Sequence, residues 1–214
     1  MKKIGFTLAE ILITLGVVGI VSALTIPSLI TNNMEAQVGP KLAKAVTAFE
    51  EANKSLIEEQ GVDALSDTSW LLNLRDLTNY YEELSKYLKI SKVNDDWQMT
   101  KDGIYFSAKV DTVVPQNTTD PTYKQYIGWL KVGLDSSVPD GNIISGKNTF
   151  YFTWWNDGSL RPFGGTNWNN EPTGIDKPGG IEHWTYSCPI GKTPIEPMHC
   201  TGHIFENNLK ILYR

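Results

Sequence analysis

Residues 1–30 read MKKIGFTLAEILITLGVVGIVSALTIPSLI and decide the architecture of the chain. Two lysines and a glycine precede an apolar run, and residues 11–30 contain no charged side chain. About twenty such residues in a helix span the hydrocarbon core of a bilayer. One acidic residue, Glu10, lies near the start of the run, and a carboxylate in a membrane helix costs roughly 2.5–3.5 kcal/mol on insertion scales. The sequence therefore predicts a membrane helix in which Glu10 has a function.

Three other interpretations account for parts of this stretch. A secretory signal peptide has the same basic start and apolar core, and Val21-Ser22-Ala23 offers a small-residue cleavage site. The apolar run continues past that site to Ile30, however, and such cleavage gives Glu10 no role. A plain single-span anchor also leaves Glu10 unexplained. A buried helix is the third interpretation, but no other segment could cover so long a surface that is apolar all round.

The order Gly5-Phe6 and then Glu10, with Lys2-Lys3 upstream, resembles the N-terminal signature of type IV prepilins and of the pseudopilins of type II secretion. The resemblance covers about the first thirty residues. It implies that a prepilin peptidase cuts after Gly5 and methylates the new N-terminal residue, Phe6. It also implies that Glu10 acts in the assembly of subunits.

The same resemblance implies a division of the chain and a fold class. It implies a leader peptide at residues 1–5, a transmembrane assembly helix at 6–33 and a head at 34–214 outside the cytoplasm. The implied fold is α+β and pilin-like: a long N-terminal helix, transmembrane and then amphipathic, packs on an antiparallel β-sheet head that has a C-terminal disulfide loop.

Periodicity in the rest of the chain agrees with a long first helix. Apolar residues and one asparagine recur at steps of three and four, which indicates an amphipathic stripe: Leu42, Val46, Phe49, Asn53, Leu56 and Ile57. Pro27 is predicted to kink the helix, Gly39-Pro40 to break it and Gly61 to end it. One kinked helix over residues 6–60 would be roughly 80 Å long at 1.5 Å per residue.

Further elements follow from local patterns. A second apolar stripe predicts a helix between Trp70 and Leu88. Alternating or aromatic runs predict strands at residues 104–110, 127–134, 149–155, 160–163 and 204–213. Asn156-Asp157-Gly158-Ser159 predicts a hairpin turn, because Asp-Gly readily adopts the positive φ angles that such turns need. Residues 114–123 and 164–180 are rich in turn-forming residues and are predicted loops.

A weaker resemblance to pilin-like proteins lies between Asp135 and Gly164. It rests on Asp135, Gly141-Asn142, Gly146-Lys147-Asn148, Phe150-Tyr151-Phe152, Asp157-Gly158, Pro162 and Gly164. Asn148 stands where the family commonly has aspartate. Because major pseudopilins bind calcium in a C-terminal loop, the resemblance makes Asp135, Asp140 and Asn142 candidate oxygen ligands for calcium. Asp and Asn side chains also build turns by hydrogen-bonding to their own backbone. This turn role is favoured over calcium binding, because the spacing matches no defined calcium loop.

The two cysteines, Cys188 and Cys200, enclose eleven residues near the C-terminus. With an N-terminal export segment, a disulfide between them is the favoured interpretation. The alternative is a metal site that adds His199 and His203, but adjacent His199 and Cys200 are poorly spaced for one tetrahedral ion.

Composition and motifs argue against several function classes. The formal net charge is -5 and no basic cluster follows Lys3, so the electrostatic footprint of nucleic-acid binding is absent. No hydrolase, metalloprotease or phosphate-loop motif is present, so we predict neither catalysis nor a cofactor. Tryptophans could form a sugar-binding platform, although aromatic residues more often fill small cores; the candidates are Trp154, Trp155, Trp168 and Trp184.

The sequence therefore predicts a structural subunit, a pilin or a pseudopilin, of a type IV pilus or a type II secretion filament. The implied partners are other subunits, a prepilin peptidase, the inner membrane and an assembly platform protein. The implied location is the inner membrane, followed by a periplasmic pseudopilus or a cell-surface pilus. The alternative is a minor pilin or membrane-anchored protein whose aromatic-rich head recognises carbohydrate or another ligand.

Overall fold

The computed structural model of the chain describes residues 7–69, 77–110, 126–163, 188 and 200–209. The chain divides into two compact units, Met1–Gln37 and Val38–Arg214. Helix α1 (Leu8–Gln60) supplies residues to both units. In the first unit the described residues form this helix and Thr7, which precedes it.

The described residues of the second unit add two helices and six strands. In chain order they are α2 (Thr78–Leu88), β1 (Ile90–Lys92), β2 (Gln98–Thr100), β3 (Tyr105–Val110), β4 (Tyr126–Gly133), β5 (Thr149–Trp155), β6 (Leu160–Pro162) and α3 (Cys200–Glu206). The strands form one antiparallel sheet in the order β1-β2-β3-β4-β5-β6. Short 3-10 turns lie at Leu65–Asp67 and Val138–Asp140. The fold class is therefore α+β, as the sequence predicts.

The core of the second unit lies between α1 and one face of the sheet. Successive strand residues point to opposite faces, and Phe106 pairs with Val132 while Leu130 pairs with Phe152. Phe49 of α1 lies against this face, with its ring centre 5.7 Å from that of Phe106. The α1 residues in this core are buried: Leu42, Val46, Phe49, Ala52 and Leu56. The amphipathic stripe predicted from the sequence is thus the face that packs on the sheet.

Most predicted elements of the second unit are confirmed. Helix α1 ends at Gln60, and Gly61 adopts the left-handed φ of 63° that commonly terminates a helix. Strands β3, β4, β5 and β6 occupy the predicted stretches within two residues. The predicted Asp-Gly hairpin joins β5 to β6, and Gly158 has a φ of 78°.

The predicted break at Gly39-Pro40 is wrong, because α1 remains helical through both residues. A proline inside a helix removes one backbone hydrogen bond without necessarily ending the helix. Gly39 instead permits a close approach: a Cβ there would lie 1.9 Å from the carbonyl oxygen of Leu209. The glycine therefore allows the segment that follows α3 to pack directly against α1.

The strand predicted at residues 204–213 is also wrong for its described part. Cys200–Glu206 is helix α3, and residues 207–209 form turns. The helix is fixed by tertiary contacts: the N–H of Gly202 donates to the carbonyl of Phe163 at 2.8 Å, and the Thr201 hydroxyl accepts the N–H of Tyr151 at 2.9 Å. Residues 70–76, both predicted loops and residues 210–213 lie outside the described residues.

Candidate functional site

The start of α1 holds the only charged side chain of the apolar segment Leu8–Ile26. The Glu10 carboxylate accepts two hydrogen bonds from Thr7, one from the backbone N–H and one from the hydroxyl, both at 2.8 Å. The N–H of Glu10 donates in return to the Thr7 hydroxyl at 3.3 Å. This reciprocal pattern is a capping box, in which two otherwise unbonded N–H groups at a helix start find partners. Glu10 therefore helps Thr7 to cap the helix and also places a negative charge near the helix N-terminus.

The surface around Glu10 is apolar and exposed. Leu8–Ile26 has a mean hydropathy of 2.2 over 19 residues, and none of it is buried within the described structure. The large aliphatic side chains are 42–78% exposed: Leu8, Ile11, Leu12, Ile13, Leu15, Val17, Val18, Ile20, Val21, Leu24 and Ile26. The segment is long and apolar enough to cross a membrane, although a signal sequence would have the same composition. So large an apolar surface favours contact with lipid or with other apolar helices.

Both threonines inside this segment bond to their own helix. The hydroxyl of Thr14 donates to the carbonyls of Glu10 and Ile11, both at 2.9 Å. The hydroxyl of Thr25 donates to the carbonyl of Val21 at 2.9 Å. Such bonds remove the cost of placing a hydroxyl in an apolar medium. The predicted processing residues, Gly5 and Phe6, lie outside the described residues, so cleavage there stays a prediction.

The predicted disulfide is confirmed. Cys188 and Cys200 are bonded to each other, with their Cα atoms 5.5 Å apart, and both residues are fully buried. The alternative metal site would need these same two sulfur atoms as thiolates. Its other proposed ligands are His203, which is buried in α3, and His199, which lies outside the described residues.

The candidate calcium ligands are engaged in turns. A carboxylate oxygen of Asp135 accepts the N–H of Ser137 at 2.8 Å, and this hydrogen bond lowers the pKa of Asp135. The amide of Asn142 donates to the hydroxyl of Ser137 at 3.2 Å, and Asp140 ends the turn Val138–Asp140. Among the described residues, no three His, Cys, Asp or Glu side chains group to hold a metal ion. Calcium binding remains a prediction. In the structure these residues make hydrogen bonds within turns.

Two of the candidate sugar-binding tryptophans are core residues. Trp154 and Trp155 are 0% and 1% exposed. Trp154 packs against Phe49 with ring centres 6.2 Å apart, and the guanidinium of Arg161 lies 3.9 Å from the centre of the Trp155 ring. These two residues therefore offer no exposed platform. Trp168 and Trp184 lie outside the described residues.

Two cavities in the second unit were not anticipated from the sequence. One, of about 240 Å³, lies between α1, the end of α2 and the β2–β3 turn, and has an apolar floor that includes Phe106 and Leu130. The other, of about 480 Å³, lies between α2, β1, β2 and β3. Tyr81 lines the second cavity; its hydroxyl accepts the N–H of Ala108 at 3.0 Å, and burial raises its pKa to about 12. No local motif marks either cavity, because each forms from segments distant in sequence.

Comparisons of the chain with protein-family models, with curated proteins and with solved structures found no match. Function is therefore inferred from the residues themselves, above all from Glu10 and the apolar helix around it.

Proposed function

We propose that this chain is a prepilin-type filament subunit, a pilin or a pseudopilin, that polymerises through its N-terminal helix. The observation that carries the proposal is the position of Glu10, a carboxylate at the start of an exposed apolar helix. The only hydrogen-bond partner of its carboxylate among the described residues is Thr7, and the carboxylate has no ion-pair partner among them. A subunit that is first held in a membrane and then moves to an apolar filament core has a use for both features.

Cleavage after Gly5 supplies the missing partner. It creates an α-amino group at Phe6 whose reference pKa is about 7.7–8.0, so the group is largely cationic at neutral pH. Away from water that cation needs an anion, and Glu10 of a neighbouring subunit is the anion that this helix provides. We propose that the pair fixes the axial register of adjacent helices, because a buried ion pair often specifies an arrangement more than it stabilises one.

The capping box sets a competing role for Glu10 within its own chain. In the uncleaved chain the carboxylate is held by Thr7. After cleavage one carboxylate oxygen can keep the Thr7 contact while the other accepts from a neighbour's amino group, because a carboxylate has several acceptor sites. We therefore propose two functions for Glu10, a helix cap in the membrane and an ion-pair partner in the filament.

The identity of the mature N-terminus tests this proposal. The full chain is expressed in bacterial membranes with and without a prepilin peptidase, and the N-terminal peptide is identified by mass spectrometry. We expect N-methylated Phe6 only when the peptidase is present, and the intact chain without it. A mature chain that begins at Leu24 would establish signal-peptide cleavage, and an N-terminus that the peptidase leaves unchanged would establish a plain anchor.

A second candidate function is ligand binding by the second unit. The observation that favours it is the presence of two cavities in this unit, of about 240 and 480 Å³. A minor pilin carries such a binding unit on a filament, so this function is compatible with the first. The aromatic carbohydrate platform loses support from Trp154 and Trp155, since both are buried.

A further inference from the structure

The larger cavity of the second unit has a negatively charged lining, and we call it the acidic cavity. Helix α2 forms one wall with Tyr81 and Glu82, and the end of β3 forms another with Ser107 and Ala108. The turn between β1 and β2 contributes Asp95 and Asp96, and β2 contributes Gln98. The volume of about 480 Å³ lies within the usual range for small-molecule sites.

The charges in the lining do not cancel. Among the described residues, Lys92 is the single cation of the lining, and its ammonium lies 2.8 Å from a carboxylate oxygen of Asp95. The carboxylates of Glu82 and Asp96 have neither an ion pair nor a hydrogen bond with any described residue. Three carboxylates against one ammonium leave a formal charge of two negative units on the lining. Such a concave surface attracts cations and repels anions.

Gln98 gives an independent indication of a ligand. Its side chain lines the cavity although the residue is only 5% exposed. The backbone of Gln98 pairs with Lys92 and Phe106, but its side-chain amide makes no hydrogen bond with any described residue. The amide nitrogen and oxygen of Gln98 are not fully buried, so they hydrogen-bond to whatever fills the cavity. A ligand with N–H donors would bond the amide oxygen in place of water.

The wall beside Gln98 is fixed. Strand β2 ends its pairing with β3 at Phe106, so the next residues of β3 have no strand partner on that side. The Tyr81 hydroxyl accepts the N–H of Ala108 there and closes this gap. This hydrogen bond ties α2 to β3 beside the cavity, and a wall that is already in place lowers the entropy cost of binding.

We propose that the acidic cavity binds a small organic cation, an alkylammonium or a guanidinium, through the Gln98 amide oxygen and the Glu82 and Asp96 carboxylates. Metal binding is less well supported, because the described carboxylates do not group as metal ligands. The site is independent of filament assembly, so this inference goes beyond the proposed function and can fail without it.

The test is a calorimetric titration of the full chain, held in detergent micelles, with agmatine, which carries both a guanidinium and an ammonium. Glucose serves as a neutral polar probe and calcium chloride as a metal probe. We expect saturable agmatine binding that weakens as salt is added, and no saturable binding of glucose or calcium. Absence of saturable agmatine binding overturns the proposal, and so does tighter binding of glucose or calcium.

Variants locate the site. We expect Glu82→Gln and Asp96→Asn each to weaken agmatine binding about threefold, the effect of one partly exposed ion pair. We expect Gln98→Leu to weaken it about tenfold, since it removes the amide acceptor of the most buried polar residue among the described lining residues. Glu83→Gln is the matched control: it removes the same charge from α2, but Glu83 pairs with Lys86 and does not line the cavity.

Equal weakening by Glu83→Gln and Glu82→Gln would show a general charge effect and overturn the assignment. Unchanged affinity in the double variant Glu82→Gln/Asp96→Asn would overturn it as well. These two positions are exposed, so the test stays decisive even where Gln98→Leu fails to fold.

Discussion

Asn53 is a fully buried amide that joins three parts of the second unit. Its oxygen accepts the hydroxyl of Tyr80 on α2 at 2.7 Å. Its nitrogen donates to the carbonyl of Gly158 in the β5–β6 hairpin at 3.2 Å. Gly158 comes close enough because it has no side chain; a Cβ there would lie 2.9 Å from the Cβ of Asn53. One polar residue in the apolar stripe of α1 thus fixes how a helix and a hairpin pack against it.

We expect Asn53→Leu to lower the free energy of unfolding by about 2–4 kcal/mol, because it leaves the Tyr80 hydroxyl and the Gly158 carbonyl buried without this partner. The measurement is denaturant unfolding of the full chain in detergent. Tyr80→Phe is the companion variant, and the double variant should lose less than the sum of the single losses, since both remove one shared bond. Additive losses would contradict a coupling between Asn53 and Tyr80.

At the residue scale the sequence predicts positions better than partners. The stripe that includes Asn53 follows from spacing alone, and the structure places it on the sheet. The partners of Asn53 lie 27 and 105 residues further along the chain, and no local pattern specifies them. The Thr7–Glu10 capping box is different, since its Thr-x-x-Glu spacing is readable in the sequence. Gln98 has no such signal, because only the tertiary fold buries it.

Helix α1 and the segment after α3 approach each other closely at Gly39. Leu209 has a φ of 61°, which is unusual for a residue with a side chain, and its N–H donates to the carbonyl of Ile204 at 2.8 Å. The carbonyl of Leu209 then lies where a Gly39 side chain would be. A helix interior normally disfavours glycine by about 1 kcal/mol relative to alanine, so the close approach is the reason for the glycine.

We expect Gly39→Ala to destabilise the second unit by about 1–3 kcal/mol, the usual cost of overpacking, despite the better helix propensity of alanine. Thermal unfolding of the full chain measures this loss of stability. Thr47→Ala, at an exposed position of the same helix, is the control and should be neutral or slightly stabilising. An equal rise in melting temperature for both variants would mean that Leu209 does not pack on Gly39 in solution.

The disulfide fixes the first residue of α3, since Cys200 begins that helix. We expect the exported chain to show no thiol that reacts under native conditions and two after reduction. Reduction should lower the free energy of unfolding by about 3 kcal/mol, the chain-entropy value for a loop of this size. Thiol labelling followed by mass spectrometry counts the reactive thiols. Reaction of Cys188 and Cys200 in the native chain would contradict the disulfide bond.

At the element scale, long patterns and turn signals predict well, and short elements that have neither do not. The aromatic run of β5 and the Asp-Gly turn after it identify that hairpin from sequence. Strands β1 and β2 have three residues each and no alternation, so pairing alone creates them. Helix α3 contains β-favouring residues such as Ile204 and Phe205, and its disulfide and hydrogen bonds to the β5–β6 region override that local preference.

For the whole molecule, the chain combines an exposed apolar helix in one unit with a stable aromatic core in the other. The charged groups follow the same division: the described salt bridges all lie in the second unit, and Glu10 is the single charge of Leu8–Ile26. This composition suits a subunit whose N-terminal helix changes its surroundings while the rest stays folded. We propose that assembly needs the charge of Glu10 in addition to its capping contact.

The yield of sheared filaments from processed subunits tests that claim most directly. Glu10→Gln keeps the capping box, because glutamine also serves at that position, but it removes the charge. Thr7→Ala removes the capping hydroxyl and keeps the charge, at a cost of about 1 kcal/mol in helix stability. Each variant is expressed alone with the peptidase and an assembly system, and N-terminal processing is checked before filaments are counted.

We expect Glu10→Gln to insert in the membrane and to be processed at Phe6, yet to give few filaments, since an unpaired buried charge costs roughly 3–5 kcal/mol at each subunit contact. Thr7→Ala should retain most of the wild-type filament yield. Normal filament yield from processed Glu10→Gln would contradict the account, and loss of filaments in Thr7→Ala alone would make the capping box the reason for Glu10.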